Sequence, residues 1–238
     1  MAIDFGNDGG GSSLPWVRHM IEENVWIVND PEGLDDVRLK SDAGELTNPI
    51  LIDIAKIQLG WLKIAGGRDF IPWPGNDPKA ISRPTEMQMS FGEEKPAYGR
   101  AFQVMVYSEK NFVSDDGRQL APLRIWSSMS AGHKIFMEKL YAAAEASPNF
   151  GSKVPVVSVK KAVFTKEYGG PTKVHDFEIL DWMEAPDSLA QAEFPNSGNA
   201  ASATQPVTQA QPQANDPSPA ADNVASGDFS GGMSSQVI

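Results

Sequence analysis

The sequence predicts a mostly β fold: a small barrel of five strands, one helix between the third and the fourth, and a disordered C-terminal tail. Three observations carry this. Short segments rich in β-branched and aromatic residues recur between residues 50 and 184, bounded by turn signals. In "LRIWSSMSAGHKIFMEKLYAAAEA", residues 123–146, the hydrophobic period changes partway from alternation to a helical repeat. From Ala185 onward the composition shifts to Ala, Gln, Pro, Asn, Ser and Gly, which cannot bury enough apolar surface to offset chain entropy.

The elements follow in order. Residues 1–13, with "NDGGGSS", read as a flexible N-terminus, and "WVRHMIEENVWIV" has a mixed period that fits either a short helix or a strand. "LGWLKIAGG", residues 59–67, alternates and stops at two glycines, so it is the first strand. The loop after it carries Pro72, Pro74, Pro78 and Pro84, and regular structure is not expected there. "YGRAFQVMVYSE", residues 98–109, and "LAPLRIW", joined by the turn signal "SDDGRQ", form a hairpin. The helix starts near Ser130, a residue type suited to the N-cap, and its apolar stripe is Ile135, Phe136, Leu140, Ala143 and Ala144. "VPVVSVKKAVF" and "VHDFEILDW" are the fourth and fifth strands, with a glycine loop between them. Strand, strand, strand, helix, strand, strand is the order of an OB-fold, a five-stranded Greek-key barrel. The domain with its N-terminal extension is placed at 14–186, and an acidic Ala/Gln/Pro/Ser-rich disordered tail at 187–238.

Composition narrows the function. With no cysteine, disulfides, thiolate catalysis and cysteine-based zinc sites are excluded. His19, His133 and His175 lie far apart in the chain without H-x-x-x-H spacing, so neither a metal nor a cofactor is expected, and His133 reads as a surface residue. There is no apolar run of about 18 residues and no signal-peptide pattern, which predicts a soluble cytoplasmic protein. The net charge of -11 comes from the ends: residues 51–184 hold 16 acids and 17 bases, leaving the centre free to carry a basic face. "YGGPTK" lacks the spacing of a phosphate loop, the carboxylates of "SDDGR" and "NDPEGLDD" sit in turn contexts, and no nucleophile–base pair is visible. An enzyme is not expected.

Strand alternation then assigns faces. Leu62 and Ile64, Phe102, Val104 and Val106, and Leu123 and Ile125 point inward; Trp61, Lys63, Gln103, Met105, Tyr107, Arg124 and Trp126 point outward. An open face with Trp61, Tyr107 and Trp126 among Lys63 and Arg124 suits single-stranded nucleic acid, with Arg100 a further candidate contact: bases stack on rings at about 1–3 kcal/mol each while cations track phosphates. The flanking loops add Arg68, Trp73 and Arg83 on one side and Lys160, Lys166, Tyr168 and Lys173 on the other. Met87, Met89 and Phe91 read as packing residues. The competing expectation is a protein-interaction or virion-associated β-barrel module that uses the same scaffold.

Through "GWLKIAGGRDFIPWP", "YGRAFQVMVYS", "LRIWSSMSAGHKIFMEKLYAAAEA", "GSKVPVVSV" and "HDFEILDW", residues 50–184 resemble phage-encoded single-stranded DNA-binding proteins of OB-fold type. The likeness falls on Gly60, Trp61, Trp126, Ser127 and Trp182. It implies coating of exposed DNA in phage replication, repair or recombination, in the host cytoplasm, without an enzymatic step, and it is compatible with an oligomer. Many such proteins end in an acidic, aromatic tip that recruits replication or recombination proteins. This tail ends "GDFSGGMSSQVI", with Asp228-Phe229 the sole such pair, and departs from that pattern.

Overall fold

A computed structural model describes residues 14–29, 36–39, 41–42, 44–65, 68–114, 116–166 and 170–195. The flexible-terminus reading of 1–13 and the tail reading from 196 onward lie outside them. The strands are β1 (Trp16–Met20), β2 (Val25–Val28), β3 (Val37–Arg38), β4 (Ser41–Asp42), β5 (Glu45–Leu46), β6 (Ile50–Ile52), β7 (Gln58–Lys63), β8 (Asp69–Pro72), β9 (Met87–Ser90), β10 (Glu93–Pro96), β11 (Gly99–Tyr107), β12 (Leu123–Ser128), β13 (Val154–Thr165) and β14 (Thr172–Met183). Helix α1 (Ala131–Glu145) lies between β12 and β13, and α2 (Asp187–Ala190) is a single turn. Among the described residues no helix is long and apolar enough to cross a membrane.

The fold is mostly β, and it has more strands than the five expected. One ten-stranded sheet runs β14-β13-β6-β11-β12-β1-β2-β3, with β7 on β11 and β8 on β7. The segment left open between helix and strand is the antiparallel hairpin β1–β2, and β1 joins β12 in parallel. It extends the sheet at its edge. The proline-marked loop is more regular than expected: β8 places Pro72 at its end, on the outer edge of the β7–β8 pair, where a missing N–H costs no ladder bond. Gly60 permits that pair, because a Cβ there would stand 2.3 Å from the Ile71 carbonyl oxygen.

The sheet is covered on both faces. On one side Val17, Phe102, Val104, Val106, Trp126, Val157 and Val159 pack with Phe136, Met137, Leu140 and Ala144 of α1. On the other, Leu51, Met105 and Ile125 pack with Leu189 and Phe194. Residues 187–195 therefore belong to the folded domain: α2 buries Leu189 completely, and the tail reading from 187 begins too early. The sheet also curls. β1 and β14 are separated by β12, β11, β6 and β13 along the ladder, yet His19 and His175 touch at 2.9 Å.

Double coverage corrects the assignment of faces. Trp126 lies opposite Val104 and Arg124 opposite Val106, so both share the main-core face, while Ile125 lies opposite Met105 on the second. Trp126 is 1 % exposed and Arg124 0 %. Gln103 and Met105, expected outward, are buried, and Ile64, expected inward, is exposed beyond the end of β7. Alternation separates two faces, but it marks the inner one only when the other meets water.

Candidate functional site

Trp61 is buried rather than presented. Its neighbours Trp73, Ala97 and Tyr98 enclose it, its indole N–H donates to the Ile81 carbonyl at 3.0 Å, and the Arg83 guanidinium lies 5.1 Å over its ring. Trp126 sits in the main core between Trp26, Phe102 and Phe136. Arg124 donates from Nη1 to the backbone oxygens of Trp16, at 3.2 Å, and Asn29, at 2.8 Å, which secures the β1–β2 hairpin. Tyr107 is half-buried and donates to Glu109 at 2.6 Å. The aromatic platform expected across three strands is therefore not formed by these rings.

The predicted cations fare differently. Lys63 pairs with Glu86 at 3.1 Å beside Tyr98, whose hydroxyl donates to Asp69. Arg68 is exposed and lies 5.2 Å over the Trp16 ring. Lys160 pairs with Glu45 at 3.2 Å; Lys166 is exposed. Lys173 donates to the Glu22 carbonyl at 2.8 Å and lies 5.2 Å over Phe164, which is 69 % exposed. Tyr168 lies outside the described residues.

Of the predicted residues, Trp73 and Arg100 come together. They line a cleft of about 620 Å³ between the turn after β8, the start of β11 and the outer side of α1. Leu59, Phe102 and Met137 line it too, with Tyr141, Lys134 and Glu138 of α1. Asn76 shapes its wall, accepting from the Leu59 N–H at 2.7 Å and donating to the Ile57 carbonyl at 3.0 Å. Trp73 Nε1 is buried and has no hydrogen-bond partner among the described residues. Sequence reasoning missed Lys134 and Tyr141, which at seven residues apart lie on one face of the helix; that spacing was the available signal.

Met87, Met89 and Phe91 are not packing residues. They mark the β9–β10 hairpin, where Phe91 is 99 % exposed and Met89 69 %. Phe91 and Gly92 both hold positive φ, 53° and 79°, as a two-residue primed turn requires, although a bulky residue rarely takes the first of those positions.

The histidines, distant in sequence, converge inside the curled sheet. His19 Nδ1 lies 3.2 Å from His133 Nε2 and 2.9 Å from His175 Nε2. His133 is 2 % exposed, which corrects its reading as a surface residue. Gly132 makes the approach possible: a Cβ there would stand 1.8 Å from the Lys173 carbonyl oxygen, so only glycine lets the start of α1 reach β14. The helix start uses Ser128 in place of a Ser130 side-chain cap, its Oγ accepting from the Ser130 N–H at 3.0 Å and bonding His133 Nδ1 at 2.8 Å. Burial, then the neighbouring rings, push the imidazole of His19 down to about 2 and that of His133 to about 3. Burial also lowers His175, opposed by the Lys160 carbonyl that its Nδ1 bonds at 2.6 Å.

No protein-family model, curated protein or solved structure matches this chain.

Proposed function

We propose that the chain is a non-enzymatic single-stranded DNA-binding protein of OB-fold type, which coats exposed DNA in phage replication, repair or recombination in the host cytoplasm. The observation that carries this reading is the cleft, where Trp73 and Tyr141 lie with Arg100 and Lys134. The partly exposed Tyr141 ring offers a base its stacking partner, over a wall that Trp73 helps to form, and the cations offer its phosphates theirs. The order β7, β11, β12, α1, β13, β14, and the placing of β6 between β11 and β13, fit an OB-type barrel into which β1 and β2 have been added at the β12 edge. At the far hairpin, exposed Phe164 with Lys161, Lys166 and Lys173 nearby would extend the path of the strand.

The test is fluorescence anisotropy of labelled oligo-dT on the full-length protein, with duplex as competitor, at low and moderate salt. Preference for the single strand is expected, with weaker binding as salt rises. Tyr141→Leu keeps the apolar contacts and removes the stacking ring, costing about 1–3 kcal/mol of binding. Absence of any oligo-dT binding would overturn the reading. It would favour the second one, a protein-interaction or virion-associated module, for which the exposed Met89 and Phe91 of β9–β10 argue.

A further inference from the structure

We propose that His19, His133 and His175 bind one divalent transition-metal ion of the zinc class through three imidazole nitrogens, His19 Nδ1, His133 Nε2 and His175 Nε2. These atoms all lie within 4.8 Å of one another, with contacts of 2.9 and 3.2 Å. Three nitrogens at about 2.0–2.1 Å from a tetrahedral zinc lie about 3.3 Å apart, inside that spread.

The groups behind two of the three rings, His175 and His133, fit the same reading. Metal-bound histidines hand their other ring N–H to a carbonyl or another fixed acceptor, which sets the tautomer. His175 Nδ1 faces the Lys160 carbonyl, which only accepts, so Nδ1 carries the proton and Nε2 presents a bare lone pair. His133 Nδ1 faces Ser128 Oγ, leaving its Nε2 toward the centre.

Proton counting points the same way. His19 Nδ1 sits within bonding distance of two nitrogens and carries at most one proton. If it donates, that proton is divided between His133 and His175. If it accepts from His133, its lone pair faces that of His175 at 2.9 Å. A cation takes all three lone pairs at once. Trp26, Trp126 and Phe136 form an apolar shell around the rings and favour neutral imidazoles, the form that ligates. Three protein ligands leave the fourth position to water. The ion would join β1, α1 and β14, doing in a chain without cysteine what a cross-link does elsewhere. The site is separate from the cleft, and its failure leaves the DNA reading standing.

The test uses the tag-free full-length protein. It is assayed for metal as isolated, dialysed against a chelator, then titrated separately with Zn2+ and Co2+. One ion per chain is expected, with the visible absorption of low-coordinate Co2+ displaced by Zn2+. Long-range proton–nitrogen NMR should show zinc moving those three ring nitrogens, with the His175 Nδ1 proton retained. Ser128→Ala keeps every ligand and should weaken the affinity about 10- to 100-fold by freeing the His133 ring. His175→Gln should abolish uptake; if that variant does not fold, the wild-type nitrogen shifts still decide. A protein that neither carries nor takes up either ion, or that binds it with those nitrogens unmoved, overturns the proposal.

Discussion

The histidine centre and the Trp61–Trp73 cluster are both buried, but they are built in opposite ways. The cluster is assembled from residues 59–98, close in sequence, and is mostly apolar, with the Trp61 indole N–H bonded to the Ile81 carbonyl and the Tyr98 hydroxyl to Asp69. The centre draws polar rings from β1, α1 and β14, and it exists only because the sheet curls until distant strands meet. One is a local flap over β7; the other is a knot through the whole domain. The difference predicts that damage at the centre unfolds everything, and that damage at the flap stays near it.

Acid should give the largest effect. Each ring is neutral in the fold and takes a proton when unfolded below its ordinary value of 6.5, so the unfolded chain binds more protons there. Stability is complete above that pH and drains as pH falls toward the folded values of about 2 and 3. In the metal-free chain His19 and His133 alone give a slope of about 3 kcal/mol per pH unit below about pH 6, and His175 adds to it in the same direction. Against a total of about 5–15 kcal/mol, that predicts cooperative acid unfolding within a few pH units. Denaturant melts at stepped pH, read by circular dichroism, check it; a flat profile would break the comparison at its polar end.

Next comes Trp126→Ala beside the centre, which empties a wholly enclosed site and should cost about 3–5 kcal/mol of global stability. Gly132→Ala drives a methyl against the Lys173 carbonyl and should cost about 1–3 kcal/mol by overpacking. Both are read as shifts of the denaturant midpoint. At the flap, Trp61→Phe keeps an apolar ring and loses the bond to Ile81, about 1 kcal/mol. Hydrogen exchange should then quicken over residues 73–98 and remain unchanged in α1. Equal quickening of α1 would mean the two regions are one cooperative unit.

The same contrast explains what could be read in the sequence. The order of β7, β11, β12, α1, β13 and β14 was legible because period, prolines and turn residues are local signals. Arg124 and Trp126 were misplaced because a cation ordinarily marks the wet face, whereas here backbone oxygens of Trp16 and Asn29 receive the guanidinium inside the fold. Residues 187–195 read as tail because only Leu189 and Phe194 anchor them. Phe91 read as packing because an exposed ring on a strained turn has no compositional signature. The histidines carried no signal at all, since their meeting depends on long-range curvature and on Gly132. In the cleft Trp73 was found from its loop and Arg100 from its strand, while Lys134 and Tyr141 were hidden on a helix assigned to the core.

The smallest expected effect on stability belongs to those cleft cations, and it separates binding from folding most cleanly. Neither Arg100 nor Lys134 lies in the core, so Arg100→Ala with Lys134→Ala should leave the denaturant midpoint within about 0.5 kcal/mol of wild type. If each meets a phosphate, two fewer counterions are released on binding. The slope of log K against log salt for oligo-dT should then flatten by about 1.4, with affinity reduced most at low salt. An unchanged slope beside intact binding would move the DNA path away from the cleft, toward Phe164 and the lysines of the β13–β14 hairpin. Stability and salt slope thus respond to different residues, and a variant that moved both would show that the cleft is part of the cooperative core and not a surface laid upon it.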